Sequence, residues 1–299
     1  MRKTIKILSL FFLIFLISPI YLSFGSETGE KKVLVNGHIA DTLSPGVNKK
    51  DAEISLKMVL DKLTKNGPYI VDNIVFPSTE AALTEIKEGR VDIVTLTSIG
   101  YLEIKDKIDM TPMVVPTLGR DPLDEYLLLV KKSRDINSLG KLKNKKLIII
   151  KGHMGTISLM WLNTLLFRQN LPESSLFFNF IKEVDNGSHV VLPVFFEQAD
   201  TCIIPSSIYE TLVELNPQLS KQLIALHKSP EFLGMVTCFH NRLDKKTMNF
   251  LLDFTVNLDS DPEGKQYLTI FHLKKTYRFE PEYLNSIEQL FHEYKRTGK

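Results

Sequence analysis

Residues Lys151–Ser158, KGHMGTIS, bring together two glycines, a histidine and two hydroxyls. Four apolar residues, Leu147–Ile150, precede them, and a thickly apolar segment, Ile157–Phe167, follows. This order predicts a strand buried on both faces, a glycine-bearing turn, and a helix with Thr156 or Ser158 at its start. The first N–H groups of a helix have no internal partner, and the positive end of its dipole points the same way. Such a turn can hold an anion. An ordinary N-cap in an α/β domain accounts for the same residues equally well. Lys151 could add a positive charge there, although a solvated lysine is the commoner case.

Stepping out from that turn, other polar side chains fall at the carboxyl ends of predicted strands. A strand at Val33–Val35 ends in Asn36-Gly37-His38; a helix follows from about Lys49, capped by Asn48, to Lys65. Val71–Phe76 reads as a second strand, and Pro77-Ser78-Thr79 opens a helix that stops at Gly89. Val91–Leu96 is a third strand, with Ser98 and Tyr101 just beyond it. This β-α-β-α-β run predicts a parallel sheet with helices on its faces, where ligands sit outside the carboxyl ends of the strands. Met110–Arg120, with its two prolines, reads as a linker, and Tyr126–Lys131 as a strand. The opening turn comes next, then a short strand at Phe177–Phe180, a loop at Asp185–His189, a helix, a strand at Asp200–Ile204 and a hydroxyl-rich turn at Ser206. Met235–Phe239 is a strand leading back to the first half, and three helical segments close the chain. The candidate ligand-binding residues are therefore His38, Ser78, Ser98, Tyr101, His153, Thr156, Ser158, His189 and Ser206. A cap or turn role suits each one singly, and their shared placement is what points to binding.

Composition narrows the class. With 299 residues and 43% hydrophobic content, the chain is large enough for two globular domains. Arg2, Lys3 and Lys6 precede an apolar run, Leu8–Leu22, and Ser23-Phe24-Gly25 supplies small residues at a cleavage point. That pattern predicts a secretory signal over residues 1–25 and a periplasmic mature protein. Removing three positive charges and no acids takes the formal charge from +2 to −1. A near-neutral surface gives no reason to expect nucleic acid or an anionic membrane as partner. The only two cysteines, Cys202 and Cys238, could pair in an oxidising compartment or stay as buried thiols. No P-loop, G-x-G-x-x-G, H-E-x-x-H or G-x-S-x-G is present, so neither a catalytic centre nor a cofactor is expected. A metal site from His38, His153 and His189 would need the fold to gather them, since no i, i+3 or i+4 histidine pair exists.

From about residue 33 to 272 the order of short motifs resembles the periplasmic solute-binding proteins of phosphate, phosphite and phosphonate importers. The resemblance is carried by Gly89-Arg90-Val91-Asp92-Ile93-Val94 followed by Tyr101, and by Leu142–Lys146 before the strand. It continues in the glycine–threonine–serine turn at 155–158, Gly187-Ser188-His189, Ala199-Asp200 and Asp261–Lys265. It implies the type II periplasmic-binding-protein fold: two α/β lobes, each a mostly parallel sheet flanked by helices, joined by two hinge strands. Lobe one would comprise 33–117 and 236–299, and lobe two 118–235. By the resemblance, Thr156 and Ser158 sit where the family holds phosphonate oxygens, and Tyr101 matches a first-lobe aromatic. Glu80 stands at a family tyrosine, and acidic side chains of the second lobe often meet a ligand amine. The implied activity is capture of a small oxyanion, without catalysis, for the membrane permease of an ABC importer. A sensor kinase as partner, another small solute, or a secreted two-lobed enzyme are the alternatives.

Overall fold

The computed structural model describes residues 31–43, 49–65, 67–260 and 262–297. The expected signal segment and the Asn48 cap lie outside the described residues, as does Asp261. Among the described residues, eleven strands form two sheets. The first has the order β2 (Tyr69–Phe76), β1 (Lys32–Ile39), β3 (Ile93–Thr97), β10 (Met235–His240), β4 (Met110–Thr117) and β11 (Lys275–Arg278). The second has the order β7 (Phe180–Val184), β6 (Lys146–Ile150), β8 (Thr201–Pro205), β5 (Tyr126–Lys131) and β9 (Leu223–Lys228). Each is mixed, with a parallel trio, β2-β1-β3 or β7-β6-β8, extended by antiparallel neighbours.

The chain passes between the sheets twice, over 118–125 and 229–234. These two connections run side by side, because Asp124 and Phe232 exchange backbone hydrogen bonds at 3.0 and 2.8 Å.

Helices α1 (Lys49–Thr64), α9 (Lys245–Val256) and α10 (Pro262–Ile270) lie on one face of the first sheet, and α2 (Thr79–Lys87) and α3 (Ser98–Ile104) belong to the other. In the second half α4 (His153–Arg168), α5 (Ser174–Phe177), α6 (Gly187–Phe195), α7 (Ser206–Leu215) and α8 (Gln218–Gln222) surround the sheet. The last helix, α11 (Asn285–Thr297), packs against both α3 and α4. Its ends are fastened by ion pairs, Lys105 with Glu288 on one side and Arg168 with Glu293 on the other.

The strand expected to end at Asn36-Gly37-His38 runs one residue further, to Ile39, with parallel ladders to β2 and β3 through His38. Two sequence expectations are corrected. Met110–Thr117 is a strand rather than a linker despite Pro112 and Pro116. Pro112 opposes Cys238 at a register shift in the β10 pairing, the kind of irregularity that tolerates a residue without an N–H. Phe177–Phe180 divides into the end of α5 and the start of β7. Strands β9 and β11 went unforeseen. Cys202 and Cys238, on different sheets, are free buried thiols whose pKa burial pushes up.

Helix α4 sits so tightly on its strand that Gly155 cannot carry a side chain. A Cβ there would fall against the Ile150 carbonyl oxygen, far inside van der Waals contact, whereas one at Gly140 would meet nothing within 4 Å. Gly155→Ala is therefore expected to destabilise the fold by about 2 kcal/mol or more in urea unfolding, and Gly140→Ala by less than about 1 kcal/mol.

Candidate functional site

The helix α4 begins four residues earlier than the apolar pattern suggests. Gly152 is its N-cap, with φ 76° and ψ −154°, a conformation that favours glycine. No side chain caps this helix. By contrast, Ser78 caps α2 by accepting from the Ala81 N–H at 3.2 Å, and Thr97 caps α3 by accepting from the Gly100 N–H at 2.9 Å. A sixteen-residue helix thus presents its first N–H groups and the positive end of its dipole with no side chain to answer them.

What lies in front of them is a crevice of about 210 Å³ between the two halves. Asp41, Ser78, Thr79, Glu80, Thr97, Ile99, Gly100 and Glu103 line it from the first half, and His153, Thr156 and Ile157 from the second. Three hydroxyl side chains, Thr79, Thr97 and Thr156, and one uncapped helix tip can hold an oxyanion. The same crevice has three carboxylates and no lysine or arginine in its lining. Hydrogen bonds from its own backbone N–H and from Ser78 hold the Glu80 carboxyl below the usual range, so this charge is present at neutral pH. Lys151 points elsewhere and pairs with Asp185 at 3.0 Å.

His153 bridges the halves. Its Nδ1 lies 3.0 Å from the Asp41 carbonyl oxygen, which can only accept, so Nδ1 carries the proton. Burial lowers the ring pKa, partly offset by that carbonyl, and the neutral ring leaves Nε2 as an acceptor. His153 is placed to tie the crevice rim together; its remaining nitrogen cannot donate to an oxyanion.

Of the residues singled out in the sequence, Ser78, His153 and Thr156 come together in this crevice. Thr156 is exposed to it, with only a long 3.4 Å contact from its hydroxyl to the Gly152 carbonyl. The others are placed apart. Ser158 is fully buried and donates to the Met154 carbonyl at 2.8 Å within α4. Ser98 is fully buried and its hydroxyl has no partner among the described residues. Tyr101 packs into the core, where desolvation pushes its pKa up to about 12. His189 stands exposed on α6 beside Asn186, at 3.1 Å. Ser206 donates to Asp124 at 2.7 Å in a separate groove. His38 faces the opposite side of the first sheet. The three histidines are not gathered, and the described residues hold no group of three acidic, histidine or cysteine side chains able to bind a metal.

Asp41, Thr79, Thr97 and Glu103 are polar lining residues that the candidate set did not include. The rule of strand carboxyl ends reaches Asp41 and Thr79, which directly follow β1 and β2. Glu103, in the second turn of α3, needs the helix orientation, which no local pattern gives.

Two α/β halves with a polar crevice between them define a protein built to enclose a small molecule. Residues 42–282 match the family described as ABC transporter, phosphonate, periplasmic substrate-binding protein, and the chain belongs to that family. No curated protein matches the sequence. Among solved structures, it is similar to a Xanthomonas citri protein bound to chloride ion, at 16% identity and TM-score 0.63, over 89% of this chain and 98% of that one. A binding-protein component of an ABC phosphonate transporter from Pseudomonas aeruginosa matches at 19% identity and TM-score 0.60, over 90% and 88%. PhnD1 from Prochlorococcus marinus, in complex with methylphosphonate, matches at 18% and 0.60, over 89% and 99%. At these identities the likeness is one of fold.

Burial sets a pH dependence. His38 is held to about 4 by desolvation, from an ordinary value of 6.5, and His153 is lowered for the same reason. The unfolded chain binds these protons first, so the stability gained from neutral rings is complete above about pH 6.5 and is lost as pH falls toward 4. Unfolding free energy is expected to drop across that window by about 3 kcal/mol from His38 alone, and His38→Gln to flatten the profile.

Proposed function

We propose that the protein captures a small solute bearing an oxyanion in the crevice between its halves and passes it to the permease of an ABC importer. The observation that carries this reading is the uncapped start of α4 facing hydroxyls across the crevice. Backbone N–H groups of α4 and the Thr156 hydroxyl hold the oxyanion, with Thr79 and Thr97 meeting it from the other half. A bare dianion would be repelled by the carboxylates of Asp41, Glu80 and Glu103, which no lysine or arginine in the lining offsets. An oxyanion whose other end is an ammonium group satisfies both walls at once.

In this reading 33–117 with 236–299 is one lobe and 118–235 the other, and the paired connections at Asp124 and Phe232 are the hinge. Solute touching both lobes favours the closed form by its differential affinity for the two states. The closed surface is what the permease reads. Residues 1–25 direct the chain to the periplasm and are removed. No bond is made or broken in the solute.

Calorimetric titration with an aminoalkylphosphonate, the matching alkylphosphonate without the amine, and inorganic phosphate tests the reading. The aminoalkylphosphonate is expected to bind tightest. Thr156→Ala should weaken it about tenfold, the worth of one buried hydrogen bond to a charged group. Glu80→Gln should narrow the margin between the first two compounds. Equal affinities for all three, or no loss with Thr156→Ala, would reject the site.

A further inference from the structure

His38 belongs to a second cavity, of about 80 Å³, under the opposite face of the first sheet. A sheet face covered by helices is ordinarily apolar throughout. Here the packing on that face breaks into two separate clusters, one around Leu34, Ile93 and Leu251 and another around Leu60, Val71 and Phe271. Between them runs a belt of buried polar side chains on neighbouring strands: Asn36 and His38 on β1, Thr95 on β3 and Thr237 on β10. All four line the cavity, whose other walls are Leu60, Leu251, Phe254, Tyr267 and Phe271.

The hydrogen bonds of the belt leave defined valences over. Asn36 Nδ2 spends one proton on Asn73 Oδ1 at 2.9 Å and the other on His38 Nε2 at 3.0 Å. His38 Nε2 is then an acceptor and Nδ1 carries the ring proton. Among the described residues no hydrogen bond reaches that Nδ1–H, although His38 is only 4% exposed. The ring is held in place by stacking on Phe271, with centroids 5.5 Å apart. Thr95 and Thr237 pair at 2.9 Å, so one of the two hydroxyl protons is also uncommitted. Thr42, Thr255 and Thr276 also line the space but spend their hydroxyl protons on the Ile39, Leu251 and Thr255 carbonyls at 2.7, 2.6 and 2.6 Å, and no charged side chain lines it.

We propose that this cavity is a second binding site, for a small neutral molecule with an aromatic or short aliphatic body and one hydroxyl or carbonyl group. The polar end accepts from His38 Nδ1–H and meets the threonine pair; the body lies against the apolar walls. Water alone fills such a space poorly, because each molecule needs two to four partners and the facing walls are mostly apolar. A charged solute is excluded by the absence of any counter-charge. This site is independent of the crevice at α4 and stands or falls without it.

Phenol and toluene are the probes, followed by NMR titration of the purified protein with the methyl resonances of Thr95 and Thr237 as reporter. Phenol is expected to shift those resonances and bind more tightly than toluene. His38→Phe, which keeps the stacked ring and removes the N–H, should weaken phenol about tenfold and leave toluene within about twofold. Leu251→Trp, which fills the space, should abolish both while circular dichroism stays unchanged; Thr156→Ala should alter neither. If that variant unfolds, a crystal soaked in phenol replaces it, with density beside His38 expected. Absence of binding by wild type at millimolar probe, phenol binding that persists when the space is filled, or phenol located only in the α4 crevice would overturn the proposal.

Discussion

The interaction on which the functional reading rests is one left unmade inside the protein. The first N–H groups of α4 are answered by no side chain, while the neighbouring helices α2 and α3 are capped by Ser78 and Thr97. An open helix start costs stability unless water or a ligand completes it. Here it is directed into a crevice that two halves of the chain share. Everything around it serves to keep it there: the apolar strand β6, the close seat of Gly155 on Ile150, and the packing of α4 against α11. The scaffold supplies the orientation, and in the proposed reading the solute supplies the missing acceptor.

Charge then shapes what the acceptor must look like. The hydroxyls and the helix tip favour an anion, whereas Asp41, Glu80 and Glu103 disfavour one that is negative at every end. These opposing tendencies are not a contradiction when they act on different parts of one small molecule. His153 adds structure rather than charge, since its proton is committed to the Asp41 carbonyl across the gap. That contact joins the two sides of the crevice.

Much of the fold was legible because hydrophobic runs and turn residues alternate cleanly. The strand Tyr126–Lys131 and the helix after Ser78 follow directly from local pattern. The prolines of β4 misled because their tolerance depends on a partner strand, β10, more than one hundred residues away. The short β11 carries too few apolar residues to announce itself and exists because it pairs with β4. In the site, Ser78 and Thr156 were readable from the rule of strand ends. Ser98, Tyr101 and Ser158 satisfy the same rule yet turn inward, because which face of a short helix meets the core is decided by packing. His38 was found for the right reason, a polar residue late in a strand, but on the wrong side of the sheet.

A crystal structure grown with an aminoalkylphosphonate is the most direct test of the central claim. The account predicts the phosphonate oxygens within hydrogen-bonding reach of the α4 N–H groups and the Thr156 hydroxyl, with the ammonium turned toward Glu80 and Glu103. Density for the solute in the groove beside Asp124, or in the crevice with its charged ends reversed, would contradict it.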